Sequence, residues 1–269
     1  MPTSSAAATP TRFVDLDWNG RALRLETAWV GAPRGAGTPE VVFLHEGLGS
    51  VSMWKDFPRA FCERHGFAGF VFSRYGYGRS TPKPPDERWA SDFMDRQANE
   101  VLPVLLAAVG IARPWLFGHS DGGTIALLHA ARHPVAGVVA VAPHLFAEDL
   151  SVASIAKALA AFESGDLRAG LARHHDDPDS AFRGWNDVWL APEFRDWNVE
   201  REIETITCPI LAVQGEDDEY GTLEQIRAIA RRLPKTRLLV LADCGHSPHR
   251  GQPEILSREA GHFILEHTS

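Results

Sequence analysis

Short apolar runs recur along the chain and alternate with stretches in which apolar residues return every three or four positions. The runs fall at residues 13–18, 22–30, 41–44, 70–72, 115–117, 138–141, 210–213 and 238–241. Strands alternating with helices are the pattern of a parallel sheet wrapped on both faces, and such strands are continuously apolar because both faces are covered. The runs therefore predict an α/β fold with a mostly parallel eight-stranded sheet flanked by helices. The first two runs differ, because Asn19-Gly20 between them favours a tight hairpin turn and an antiparallel pair. Helical spacing covers 93–109, where Pro103 marks a kink or break, and also 121–133, 223–233 and 255–266.

One interval breaks this rhythm. Between the runs ending at Val141 and starting at Ile210 lies far more chain than one crossover helix needs. It carries a helical pattern over 151–162 and then Trp185, Trp189 and Trp197 among polar residues. The division this predicts is a flexible tail over 1–11, an α/β core over 12–143 and 208–269, and a helical lid or cap over 144–207.

Composition narrows the class. The 269 residues are 44% hydrophobic and 23% charged, ordinary for a globular chain. A net charge of -8 and no Lys/Arg-rich run argue against a nucleic-acid partner, which needs a concentrated basic surface. Cys62, Cys208 and Cys244 are odd in number and far apart, so they suggest neither a disulfide framework nor a metal pair. The first ten residues lack the basic start and apolar block of a signal peptide, and no apolar run is long enough to span a bilayer. These features read as a soluble cytoplasmic protein, monomer or homodimer, without a membrane partner.

The chemistry concentrates at Gly118-His119-Ser120-Asp121-Gly122-Gly123, which follows the run at 115–117 and opens a helix. A Gly-x-Ser-x-Gly at a strand-to-helix turn suits a nucleophilic serine: the turn is sharp, the hydroxyl projects from it, and side chains two before and two after would collide. The bland alternative is a serine N-cap at an ordinary turn. A hydroxyl needs a base to take its proton, and the base needs an acid to fix its tautomer. Asp218, in Gln214-Gly215-Glu216-Asp217-Asp218 after the run at 210–213, is the candidate acid. Glu216 and Asp217 are its rivals, and Glu148 is a nearby substitute. His246, preceded by Gly245 and following the last run, is the candidate base, with His249 as rival. The loop His45-Glu46-Gly47-Leu48-Gly49-Ser50 leaves the strand at 41–44 and offers unobstructed N–H groups. Gly47, then Leu48, is the candidate oxyanion donor, paired with the N–H of Asp121. The Asp121 carboxylate reads as a complement to the helix dipole.

Four motifs in this order resemble the α/β-hydrolase superfamily: His45-Glu46-Gly47, the turn Arg74-Tyr75-Gly76-Tyr77-Gly78-Arg79-Ser80, the Ser120 elbow, and the closing Gly245-His246 with Gln252-Pro253-Glu254 behind it. The resemblance implies acyl transfer to water through an acyl-enzyme, with no cofactor and a small-molecule substrate. Relatives usually carry Gly directly after the loop histidine, where this chain has Glu46. That departure puts the oxyanion donor in question and suggests a carboxylate at the pocket mouth. A serine nucleophile argues against the superfamily's dehalogenases and epoxide hydrolases, which use Asp.

Candidate pocket residues are Glu46, Trp54, His144, Phe146, Glu148, Trp185 and Trp189, although the tryptophans equally suit the core of the lid. His174-His175-Asp176-Asp177 reads as a solvated loop and not as a metal site. A small carboxylic ester or thioester is the leading substrate. A dienoate cleaved at a carbon–carbon bond is the alternative and would need a cationic pocket. A non-catalytic receptor on the same scaffold is the third reading.

Overall fold

The computed structural model describes residues 10–268, so the expected tail over 1–11 falls almost wholly outside it. Strands β1 (Arg12–Trp18) and β2 (Arg21–Gly31) pair antiparallel across Asn19-Gly20, whose φ values of 55° and 81° are those of a tight primed turn. Then follow β3 (Glu40–Leu44), α1 (Phe57–His65), β4 (Ala68–Phe72), α2 (Phe93–Arg96), α3 (Leu102–Val109), β5 (Trp115–His119), α4 (Asp121–Ala130) and β6 (Gly137–Val141). Next come α5 (Asp149–Glu163), α6 (Asp166–Leu171), α7 (Pro178–Trp189), β7 (Ile210–Gly215), α8 (Glu224–Arg232), β8 (Arg237–Leu241), α9 (Pro248–Gly251) and α10 (Pro253–Glu266).

The eight strands form one sheet in the order β1-β2-β4-β3-β5-β6-β7-β8. β2 runs antiparallel to β4, and every pairing from β4 through β8 is parallel. The central strands β4, β3, β5, β6 and β7 are buried almost throughout, as their apolar runs require. β8 departs from that expectation. It is an edge strand with a neighbour on one side, and Leu238 and Val240 remain 38% and 40% exposed because the sheet ends there.

Pro103 has a definite effect. Residues Gln97–Val101 widen into a π-turn between α2 and α3, just before the proline. Lacking an N–H, Pro103 cannot bond the carbonyl four residues back, and its ring crowds that carbonyl, so the ladder opens by one residue.

The segment between β6 and β7 holds α5, α6 and α7. Its buried Phe162, Phe182 and Trp189 belong to the same apolar cluster as Leu44, Leu116 and Ala140 of the sheet, so it shares the main core. Phe162 and Phe182 stack with ring centroids 3.8 Å apart, joining α5 to α7. Among the described residues no helix is long and apolar enough to cross a membrane.

On the other face, Phe117 of β5 sits at the centre of an aromatic group: Phe43 at 5.3 Å, Phe61 at 5.4 Å, Phe57 at 5.6 Å and Trp54 at 6.2 Å. This packing fixes the strand that delivers Ser120. Phe117→Ala is expected to cost about 3–5 kcal/mol, the range for emptying a buried aromatic site. Urea unfolding of the purified variant against wild type measures it.

Candidate active site

Ser120 lies between β5 and α4 with φ 54° and ψ -122°, a conformation that L-residues occupy only under constraint. The glycines around it have a visible reason. A Cβ on Gly118 would lie 2.1 Å from the Gly122 carbonyl oxygen, and one on Gly122 would lie 2.1 Å from the carbonyl oxygen of Leu44. The elbow is thus pressed against both its own strand and the end of β3. The N–H of Ser120 donates to Val141 at 2.9 Å, tying the turn to β6. Asp121 begins α4, so its N–H has no acceptor within the helix.

His246 brings the three predicted residues together. Its Nε2 is 2.9 Å from Ser120 Oγ, and its Nδ1 is 2.8 Å and 3.0 Å from the two carboxylate oxygens of Asp218. Asp218 also accepts from the N–H of Tyr220 at 2.8 Å, the N–H of Gly221 at 3.2 Å and Gln214 Nε2 at 3.0 Å. Burial pushes its carboxyl upward, but the His246 bond, its charge and the Tyr220 N–H outweigh that and hold it below the usual range. Glu216 and Asp217 are exposed, and Glu148 bonds elsewhere. His249 packs between Trp54 and His119 at 5.0 Å and 4.7 Å, and neither of its ring nitrogens has a hydrogen-bond partner among the described residues.

The loop after β3 is braced by side chains from other segments. Arg74 Nη2 donates to the Glu46 carbonyl at 2.9 Å, and the N–H of Arg74 donates to His45 Nε2 at 3.0 Å. His45 uses its other nitrogen on the Glu46 carbonyl at 2.6 Å. His175 accepts from the N–H of Gly78 at 2.8 Å and donates to the Leu48 carbonyl at 2.9 Å, linking the arginine–glycine turn to the same loop. His174 points away, to Ser52 and Lys55. Among the described residues no group of three or more His, Cys, Asp or Glu is arranged to hold a metal ion.

A cavity of ≈ 160 Å³ opens above these groups, lined by Ser120, His246, Gly47, Leu48 and Asp121. A larger cavity of ≈ 520 Å³, with Lys55, Arg79 and Arg173 at its rim, contains none of Ser120, Asp218 or His246.

The sequence pattern of the alpha/beta hydrolase family matches residues 41–259. The chain belongs to that family. RutD of Caulobacter sp. (strain K31), which carries a carbamate-hydrolase name, is 25% identical over 249 residues, covering 84% of this chain and 90% of its own. Pimeloyl-[acyl-carrier protein] methyl ester esterase of Aeromonas hydrophila subsp. hydrophila is 23% identical over 257 residues, covering 84% of this chain and 95% of its own. In structure the hydrolase is similar to proline iminopeptidase of Mycobacterium smegmatis, with a TM-score of 0.76 at 16% identity over 96% of this chain and 99% of that one.

Of the predicted pocket residues, Glu46, His144, Trp185 and Trp189 line the smaller cavity and three do not. Trp54 is 2% exposed and packs into the aromatic group beneath the sheet, because the chain folds back into α1 directly after it. Phe146 lies in a short bridge with Asn198. Glu148 accepts from Thr222 and Gln225, bracing the start of the inserted helices against the first turn of α8 and the chain just before it. Trp197 stacks on Phe194 at 4.9 Å and belongs to the core of the insertion. His119, Ile155, Tyr220 and Ser247 also line the cavity, and the sequence pattern alone does not point to them. His119 and Ser247 are direct neighbours of Ser120 and His246, and Tyr220 is two residues past Asp218, so only proximity to the motifs could have indicated them.

The Asp121 carboxylate is buried, lies 3.9 Å from Arg74 Nη2 and is pushed up to about 6 by burial, with Arg74 partly offsetting. His144 stacks edge-on to Trp189 at 4.9 Å, and burial lowers it to about 3. Burial likewise lowers His175 and His129 to about 4 each. In the unfolded chain these rings titrate near 6.5, so between pH 6.5 and 4 the unfolded state binds more protons than the folded one. Their contribution is fully present above pH 6.5 and is lost as pH falls toward 4. A tenfold change in proton affinity is worth about 1.4 kcal/mol, so several kcal/mol disappear across that window. Urea midpoints at pH 7 and pH 5 are expected to show the drop, and His129→Gln, away from the cavity, to flatten it.

Proposed function

We propose that this hydrolase is a serine enzyme that cleaves small carboxylic esters or thioesters through an acyl-enzyme. The observation that carries the reading is the imidazole of His246 standing within hydrogen-bond reach of both Asp218 and Ser120 Oγ, with Ser120 held on a strained elbow. In this mechanism Ser120 Oγ adds to the acyl carbon while its proton passes to His246 Nε2, and Asp218 stabilises the imidazolium. The carbonyl oxygen becomes an oxyanion facing the N–H groups of Asp121 and of Gly47 or Leu48. Collapse breaks the bond to the alcohol or thiol, which leaves with the proton from His246. Water then adds to the acyl carbon, its proton goes to His246, and the acid departs as Ser120 regains its hydrogen.

The cavity lining favours a short acyl group that is neutral or cationic. Glu46 contributes a carboxylate, and the cavity lining includes no Lys or Arg among the described residues. That composition weighs against a dienoate, whose carboxylates need a cation. Trp185 and Trp189 supply apolar walls that also suit an ammonium group. The curated relatives support hydrolysis at a carbonyl: one is named for carbamate and one for a methyl ester. A receptor function has no observation in its favour.

A fluorophosphonate probe is expected to label wild type and not Ser120→Ala. Against p-nitrophenyl esters, amine-bearing acyl esters, acyl-CoAs and dienoates, the short neutral and amine-bearing esters should turn over fastest. Ser120→Ala should lose more than about 10³-fold in kcat. An unlabelled wild type would exclude the serine mechanism. Dienoate turnover without ester turnover would move the reaction to a carbon–carbon bond.

A further inference from the structure

The residue before Ser120 carries a side chain that acyl transfer itself does not use. His119 ends β5, is buried, and donates from Nε2 to the backbone carbonyl of His246 at 2.7 Å. Its Nδ1 has no hydrogen-bond partner among the described residues and faces Glu46 Oε2 at 3.6 Å. An acceptor therefore stands on each side of the ring. The form that suits both is the imidazolium, with a proton on each nitrogen.

The surroundings agree with a charged pair here. Arg250 Nη2 lies 3.7 Å from the other Glu46 oxygen, which leaves the first oxygen to His119. The rings of His249 and His246 lie 4.7 Å and 5.1 Å from that of His119, and Trp54 closes the side at 6.4 Å. Burial holds His249 well below its ordinary range, so it brings no second positive charge. Burial pushes the Glu46 carboxyl up, yet the contact with His119 outweighs it and holds Glu46 below the usual carboxylate range. The space for that side chain is reserved: a Cβ on Gly49 would lie 2.4 Å from Glu46 Oε2.

We propose that Glu46 and His119 form a positioning pair for the general base, in which the charged ring holds the His246 carbonyl and Glu46 holds the ring. The proposal rests on the serine-hydrolase reading above. The main chain of His246 is then fixed on both sides, since its N–H donates to Glu219 Oε2 at 3.0 Å. Without Glu46 the ring is a neutral Nε2–H form, whose bond to the carbonyl is weaker than a charge-assisted one and whose Nδ1 has no anchor, so the loop is held less firmly. Glu46 also cancels the charge that His119 would otherwise place beside His246. The residue that departs from the family pattern thus joins the strand-end loop, the nucleophile's strand and the base loop in one contact.

Two measurements test this. In histidine-labelled protein at pH 7, long-range ¹H–¹⁵N spectra should show both His119 nitrogens protonated in wild type and a neutral Nε2–H ring in Glu46→Gln. A neutral ring in wild type overturns the pair. Fluorophosphonate inactivation should slow by roughly ten- to a hundredfold in Glu46→Leu and His119→Phe, the scale of a misplaced catalytic group. His119→Gln, whose amide can still donate to the carbonyl, should recover most of that loss. Wild-type rates in both disruptive variants, with unchanged melting temperatures, also overturn it. If those variants do not fold, the spectra of wild type and Glu46→Gln and the rate of His119→Gln decide. A wild type that does not label at all rejects the serine reading instead, and the spectra still report on the pair.

Discussion

The site depends on one steric constraint, the close approach of the elbow to the end of β3. Gly118 meets the backbone of Gly122, and Gly122 meets the backbone of Leu44, with no room for a Cβ at either glycine. That contact forces the chain through a left-handed serine and sets α4 beneath it. It also places the first N–H of α4 beside the loop leaving β3, since Leu44 is both the wall against Gly122 and the residue before His45. Ser120 and the loop after β3 are thus aligned by backbone packing, before any side chain takes part. The strain at Ser120, of order 1–3 kcal/mol, is borne by the apolar packing around Phe117 on one face and Leu116 on the other.

Side chains then fix what the backbone leaves loose. Arg74, His45 and His175 use hydrogen bonds to hold the carbonyls of Glu46 and Leu48, which fixes the backbone of that loop. Two of the three are histidines that serve as acceptor on one nitrogen and donor on the other, a role only the neutral ring can fill. Burial keeps them neutral, so desolvation that would be a cost for a charged group here selects the neutral ring, and the partner on each nitrogen sets its tautomer. The same burial makes the loop sensitive to acid.

The fold was legible because its signal is local. Buried parallel strands announce themselves as apolar runs, and Asn19-Gly20 and Pro103 act through their own backbone chemistry. The error at β8 has the same origin: Leu238 and Val240 are apolar, but which strand ends a sheet is decided by topology and not by the strand's own residues. At the site, Ser120, Asp218 and His246 could be picked out because each follows a strand end in a loop of recognisable composition. Trp54, Phe146 and Glu148 could not be placed, since position shortly after a strand does not determine which way a side chain turns. Trp54 turns under the sheet with α1, and Glu148 turns toward Thr222. His119 carried no signal of its own, because its partners, Glu46 and the His246 carbonyl, are far away in sequence.

Glu46 shows how a departure from a family pattern can be accommodated. A carboxylate beside an oxyanion site is unfavourable on its face, because a negative charge there opposes the charge that develops in the transition state. Here the carboxylate faces His119 at 3.6 Å and Arg250 at 3.7 Å, and the Glu46 backbone carbonyl accepts from Arg74. The charge thus lies beside the Arg250 guanidinium, while the Arg74 and His45 bonds hold the loop backbone. Around the site lies a small cavity with indole walls and Glu46 in its lining, so on the proposed reading selectivity follows from which acyl groups tolerate that carboxylate at close range. On the proposed reading the same residue thus bears on two properties: how firmly His246 is held, and which charge the substrate can bring.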